Sequence, residues 1–191
     1  EKSGFNPIYV NELNKDALET YLINRDKHFP HLRNNFFSQD IKEIVKDKKF
    51  FSNLLNKLEK EFGRNFKKDT VDLVTGGPPC QGFSLTGPRN IDDPRNKLYL
   101  SVFKTLKLTN PKAFVVENVR GLKTMWDGNV FKEIIKKFES AGYIVTESLL
   151  NSADYGVPQI RHRVFIVGIK KELDKKFEFP KPEFDKDNYI T

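Results

Sequence analysis

Apolar positions along the chain change period several times, and each change marks an element. Val71, Leu73 and Thr75 stand at every second position among β-formers, which predicts a short strand that Gly76-Gly77-Pro78-Pro79 stops abruptly. Ile8-Tyr9-Val10 predicts another short strand, and Ala113 to Val116 a buried one. Tyr143 to Leu150 and Val164 to Ile169 read as the last two strands, near enough in sequence to form an antiparallel, hairpin-like edge. Helical spacing recurs between them. A helix is predicted from about Lys15 to Asn24, capped by Asn11 or Asn14, and one begins near Ile41 with Asp40 as a candidate cap. Phe50, Phe51, Leu54, Leu55, Leu58 and Phe62 predict an amphipathic helix within 47–68, with a Lys-rich outer face, packed on the sheet edge. Leu98 to Leu108 forms another helix, ended by Pro111. The last helix runs from Val130 to Ser140, with Gly142 as its stop. Gly4 marks the end of a helix at the amino end, and the loop Asp154 to Gln159 leads into two arginines, Arg161 and Arg163.

The 191 residues suit one domain with a real core, or most of a larger one. Lys and Arg number 33 against 26 Asp and Glu, a net charge of +7 that suits a polyanionic partner such as DNA or RNA. A single cysteine rules out an internal disulfide framework and a Cys-rich zinc site, and no metal is expected. No apolar run approaches the roughly 20 residues of a membrane helix, and no signal peptide shows at the amino end. An intracellular soluble protein, away from membranes, is expected. Past Lys170 the composition turns Lys-, Glu- and Pro-rich, which predicts a connector over 171–191 after a catalytic domain over 1–170.

A lone cysteine is most often a small buried hydrophobe. Cys80 has a different setting: it follows a strand end, Pro79 fixes the backbone just before it, and nearby glycines leave room for a ligand. A thiol delivered in this way at the open edge of an α/β sheet is a candidate nucleophile.

The run Gly76-Gly77-Pro78-Pro79-Cys80-Gln81-Gly82-Phe83-Ser84 resembles the catalytic motif of the cytosine-C5 DNA methyltransferases of bacterial restriction-modification type. Phe114-Val115-Val116-Glu117-Asn118-Val119 is similar to the family's Glu-Asn-Val motif, and Gln159-Ile160-Arg161-His162-Arg163 to its Gln-x-Arg-x-Arg motif, in the same order. The resemblance implies an α/β, Rossmann-like fold for S-adenosylmethionine-dependent methyl transfer, with a mostly parallel sheet and an antiparallel edge strand. It implies that Cys80 is the nucleophile, that Glu117 contacts N3 and the amino group of cytosine, and that Asn118 supports the loop. Arg163 is assigned to O2 of the base, with Arg161 orienting the carboxylate or the loop. Glu12 is implied on the cofactor ribose, Leu13 on its adenine and Asp40 on the adenine amino group, with Ile41, Pro79 and Leu98 completing the cofactor contacts. The segment 81–97 is expected as a lid over double-stranded DNA, with Gln81, Ser84, Arg89 and Arg95 touching it. A cognate restriction endonuclease is expected in the same system without direct contact.

These residue types suit the chemistry. Carbon 5 of cytosine is a poor nucleophile until a thiolate adds to carbon 6, which splits one hard step into easier ones. The adduct puts negative charge on the ring. A carboxyl at a partly apolar strand end relieves it at N3, and a cationic donor near O2 stabilises it further. Arg161 and Arg163 alternate on an extended segment, so both can face one side of it; on spacing alone such a pair is more often a surface ion pair. His162, His28 and His31 are expected to be bland, the last two at the surface.

The family's opening glycine-rich loop would lie before Glu1, and its target-recognition region and closing helix would follow the arginine motif. The domain is therefore expected to be incomplete at both ends, and to bind S-adenosylmethionine poorly by itself. Two alternatives stay open: the tRNA-methylating branch of the same family, disfavoured by Gly82-Phe83-Ser84, and a non-catalytic nucleic-acid-binding or regulatory module with the same fold.

Overall fold

Phe114 and Val116 alternate with Ala113, Val115 and Glu117 along β4 (Ala113–Val119), giving one fully packed face and one half-buried face. On the packed face they meet Val164 and Ile166 of β6 (His162–Lys170), Leu106 of α4 (Tyr99–Thr109), and Phe131, Ile134 and Phe138 of α6 (Asn129–Ser140). The sheet is completed by β3 (Leu73–Gly76) and β5 (Tyr143–Asn151), in the order β3-β4-β6-β5. β3 and β4 pair in parallel, while β6 is antiparallel to both its neighbours. Three of the four strands thus run one way and β6 runs against them, one place in from the edge, because β5 covers its outer side. The computed structural model describes residues 3–34, 36–46, 48–63, 65, 71–78 and 98–190. The chain forms two compact units, Glu1–Thr70 and Val71–Thr191.

In the second unit the helix expected over 98–108 starts at Tyr99 and stops at Thr109, where Asn110 turns left-handed at φ 45° ahead of Pro111. α6 keeps the expected range within one residue and ends before Gly142 at φ 94°. A short helix, α5 (Gly121–Thr124), follows β4 directly. β6 begins at His162 rather than Val164, so Arg163 is a strand residue and not part of the loop before it. The Phe114 ring lies 4.7 Å from that of Phe138 and 5.0 Å from that of Tyr143, and Gly168 faces it from β6 so closely that a Cβ there would overlap the ring. Tyr143 is buried and its hydroxyl donates to the Pro111 carbonyl at 2.9 Å. The segment expected as a connector is tied down: the Glu183 and Phe184 amides donate to the Asp154 carbonyl at 2.9 and 3.1 Å.

The first unit is built on two short parallel strands, β1 (Val10–Asn11) and β2 (Phe37–Ser38). α1 (Lys15–Ile23) is capped by Asn14, whose side chain accepts from the Ala17 amide at 3.0 Å. α2 (Ile41–Lys46) precedes α3 (Lys48–Phe62), which stops well short of position 68 with Gly63 left-handed at φ 60°. Phe51, Leu54 and Leu58 of α3 pack on Leu18 and Leu22 of α1 with Leu32 and Phe36. Gly4 has φ 84°, while residues 1 and 2 of the helix end expected there lie outside the described residues. The expectation for His31 fails: it is 6% exposed. Its Nε2 lies 2.9 Å from the Pro7 carbonyl oxygen, and its ring meets those of Phe29, Phe36 and Phe62. His28 is exposed, as expected.

Two outcomes are expected. Gly168→Ala, which drives a methyl group into the Phe114 ring, costs about 1–3 kcal/mol in urea unfolding; an unchanged midpoint would contradict this packing. Burial, with a smaller contribution from Glu172, pushes the Tyr143 hydroxyl up to about 12 from its ordinary 10. A proton held more tightly in the folded state contributes stability that is full below pH 10 and is lost as pH rises towards 12. Tyr143→Phe therefore shows a shallower alkaline loss of stability over that window than the parent chain.

Candidate active site

The carboxyl end of β4 brings together three of the predicted site residues, Glu117, Asn118 and Arg163. β3 and β4 run in register from Leu73↔Ala113 to Gly76↔Val116, so Gly77 and Pro78 leave β3 beside Glu117 and Asn118. A Cβ on Gly77 would stand 3.8 Å from Glu117 Oε2, which places the carboxylate against the glycine backbone. Asn118, on the packed face and 5% exposed, donates from Nδ2 to the Pro78 carbonyl at 3.2 Å, while its Oδ1 accepts the Val119 amide at 2.9 Å. Both ends of a buried amide are thereby used, and the loop after β3 is tied to β4.

Arg163 reaches the same place from β6. It pairs in register with Val119, so Glu117 is its diagonal neighbour on the half-buried face, within range of a long side chain. Arg163 Nε lies 2.8 Å from Glu117 Oε1 in an ion pair, and Nη1 donates to the His162 carbonyl at 2.8 Å. The two side chains are 24% and 38% exposed, so the pair lies at the rim rather than in the core. An ion pair this exposed contributes roughly 0–1 kcal/mol to stability, and its value lies in fixing two side chains at one point. Arg163 is the arginine beside the carboxylate, and of the two expectations for Arg161, the carboxylate or the loop, its main-chain contacts lie with the loop. Arg161 is exposed and holds the preceding turn through its main chain: its amide donates to Asn151 Oδ1 at 3.0 Å and its carbonyl accepts from the Ser152 amide at 3.0 Å.

The predicted cofactor residues of the first unit come together at the carboxyl ends of β1 and β2. The parallel register Asn11↔Ser38 sets Glu12 and Leu13 beside Gln39, Asp40 and Ile41. Asn11 Nδ2 locks the two ends together by donating to Ser38 Oγ at 2.8 Å and to the Gln39 carbonyl at 3.1 Å. Glu12 Oε1 accepts the Asn14 amide at 2.9 Å, and Asp40 Oδ1 accepts the Lys42 amide at 2.8 Å as the cap of α2. Leu13 is 72% exposed, an apolar side chain presented at a strand end. Leu98, half-buried, precedes α4 and its carbonyl accepts the Ser101 amide at 2.9 Å. Pro79, Cys80, Gln81, Ser84, Arg89 and Arg95, and with them the lid expected over 81–97, lie outside the described residues. Among the described residues no cluster of His, Cys, Asp and Glu has the arrangement of a metal site, and no helix is long and apolar enough to cross a membrane.

The family model for the C-5 cytosine-specific DNA methylases matches residues 1–191. The chain belongs to that family. It is 41% identical over 180 residues to the Type II methyltransferase M.BspRI of Lysinibacillus sphaericus, covering 94% of this chain and 36% of that protein. Against M.FnuDI of Fusobacterium nucleatum the identity is 39% over 189 residues, 98% of this chain and 47% of the relative. The solved structure of a DNA modification methyltransferase encoded within a prophage, from E. coli, matches with a TM-score of 0.63 and 26% identity, over 93% of this chain and 44% of that one. DNMT2 of Spodoptera frugiperda matches with a TM-score of 0.62 over 93% of this chain and 47% of its own length, and at 22% identity it shows the fold. The α/β arrangement is thus the Rossmann-like fold of C-5 cytosine methylases and their structural neighbours. The chain spans less than half the length of each of these proteins.

Asn118 and Glu117 should separate in their contributions to stability. Asn118→Ala leaves the Pro78 carbonyl and the Val119 amide without their side-chain partner and costs about 1–3 kcal/mol in urea unfolding. Glu117→Gln, at the rim, costs at most about 1 kcal/mol. Equal losses would contradict the roles drawn from burial.

Proposed function

We propose that the protein is a DNA (cytosine-5-)-methyltransferase that moves a methyl group from S-adenosylmethionine to carbon 5 of a cytosine rotated out of double-stranded DNA. The observation that carries the reading is the Glu117–Arg163 pair beside Gly77, on the loop that Asn118 ties at Pro78. Cys80, two residues after Pro78 in the sequence, is assigned as the thiol of this site by the motif it shares with the family. Membership of the methylase family and relatives named Type II methyltransferases support the same reading, and a cognate endonuclease in the same system accords with those names.

In this mechanism the Cys80 thiolate bonds to carbon 6 of the ring while the Glu117 carboxyl group contacts N3 and relieves the developing charge there. Arg163 stays on Glu117 through Nε and offers its remaining N–H groups to O2. Carbon 5, now enamine-like, would take the methyl group from the sulfonium of S-adenosylmethionine, whose methyl–sulfur bond would break to leave the neutral thioether. A base then removes the carbon 5 proton, the carbon 5–carbon 6 double bond re-forms and the thiolate leaves. Bound S-adenosylmethionine supplies the methyl group as a sulfonium. The fit of this chain to it rests on two carboxylates and one exposed leucine at adjacent parallel strand ends. Glu12 keeps an oxygen for the ribose hydroxyls, Asp40 one for the adenine amino group, and Leu13 meets the adenine face. Ile41, Pro79 and Leu98 complete the cofactor contacts, and Gln81, Ser84, Arg89 and Arg95 are assigned to DNA. Arg161 orients the loop. Extrusion of the base costs a few kcal/mol, offset by contacts with the protein.

The full-length protein, incubated with S-adenosylmethionine and duplex DNA carrying 5-fluorocytosine at its target sites, is expected to form a covalent adduct that survives denaturing gels. Cys80→Ser abolishes the adduct, and Glu117→Gln lowers kcat by about 10²–10⁴-fold. No adduct on any DNA, together with transfer to tRNA or none at all, would overturn the reading.

A further inference from the structure

The segment beyond β6 does more than leave the domain. Asn151, the last residue of β5 and 7% exposed, joins three parts of the chain through one side-chain amide. Its Oδ1 accepts the Arg161 amide at 3.0 Å, and its Nδ2 donates to Asp154 Oδ1 at 2.9 Å and to the Tyr189 hydroxyl at 3.1 Å. The Tyr189 hydroxyl in turn donates to Asp154 Oδ1 at 2.5 Å. The carboxylate beside it holds the Tyr189 phenol above the ordinary tyrosine range.

The backbone reinforces this link. The Tyr155 hydroxyl donates to the Pro180 carbonyl at 3.0 Å, and the Glu183 and Phe184 amides bracket the Asp154 carbonyl. Gly156 sits left-handed at φ 79° with Phe184 and Ile190 against it, so that a Cβ would come within 3.2 Å of the Phe184 ring. Residues 180–190 thus belt the turn that leads into β6. The element so held starts with Arg161 and carries Arg163 on Glu117 two residues later.

We infer that Tyr189, Asp154 and Asn151 form a positioning relay for the arginine segment, so that the chain beyond β6 sets the placement of Arg163 at the reaction site. Its catalytic part rests on the proposed methyl transfer; its structural part does not. None of the three residues touches Glu117 in this geometry, so they act through Arg161 and β6 as positioning residues. Displacements of about 1 Å far from the chemistry are enough to cost up to about a hundredfold in rate.

Two readouts on the full-length protein test the relay. Tyr189→Phe, which removes only the hydroxyl, and Asp154→Ala should speed hydrogen exchange at the Arg161 amide and at the β6 amides after it, whatever reaction the protein performs. In methyl-transfer assays the same variants should lower kcat about tenfold or more with KM for S-adenosylmethionine unchanged. Asp154→Asn, whose side-chain oxygen still accepts from Tyr189 and Asn151, should restore most of the rate. Unchanged exchange at Arg161 would overturn the relay. Faster exchange with parental kcat would reduce the network to a structural brace and overturn its positioning role. A parent protein without methyl transfer to any cytosine would instead count against the proposed function, with the exchange result still deciding whether the relay holds the segment.

Discussion

The contact on which the site depends is the diagonal ion pair between Glu117 and Arg163, made possible by pairing β4 with a strand that runs against it. In a purely parallel sheet the residues at the carboxyl end of β4 would be flanked by the carboxyl ends of its neighbours. Reversing β6 brings the start of a strand, and the arginine motif that leads into it, to that place. The antiparallel register sets Arg163 opposite Val119, and the side-chain period of two then puts it on the face that carries Glu117. A slip of one residue would send the guanidinium to the packed face, against Phe114 and Val116 of β4.

Around this pair the fold separates stability from chemistry. Phe114, Phe138 and Tyr143 interlock on the packed face, and Asn118, also on that face, spends its polar atoms on the loop after β3. Glu117 stands one residue earlier on the other face, half-exposed, where its pairing contributes little to folding but orients a carboxylate. Adjacent residues in one strand thus serve two purposes because the pleat sends them to opposite sides. The first unit uses the parallel ends of β1 and β2 in a related way, with Asn11 fixing the two ends and Glu12, Leu13 and Asp40 presented beyond them.

Much of this was legible in the sequence, for local reasons. The apolar period of α6, the alternation through β4 and the glycine stop at Gly142 are written in nearest-neighbour spacing, and the three motifs pointed to Cys80, Glu117 and Arg163. What escaped was long-range. His31 looked like a surface residue because the rings that enclose it, Phe29, Phe36 and Phe62, and its partner Pro7 are spread over 56 positions of sequence. The division of labour between Arg161 and Arg163 depends on where β6 begins, a boundary that composition places poorly. The segment after Lys170 reads as a connector by its charge, which hides the few residues, Pro180, Phe184 and Tyr189, that anchor it. The signal that was available is Asn151 three residues before Asp154 at a strand end, a spacing that favours side-chain capping of a turn.

Whether Glu117 and Arg163 act as one unit is settled most directly by a double-mutant cycle on kcat in the full-length protein, at saturating DNA and S-adenosylmethionine. If the pair is the functional element, Glu117→Gln combined with Arg163→Gln should be hardly slower than the worse single variant, since either change already dismantles the unit. Losses that multiply across the two positions would show that they work independently and would contradict the central role given to their contact.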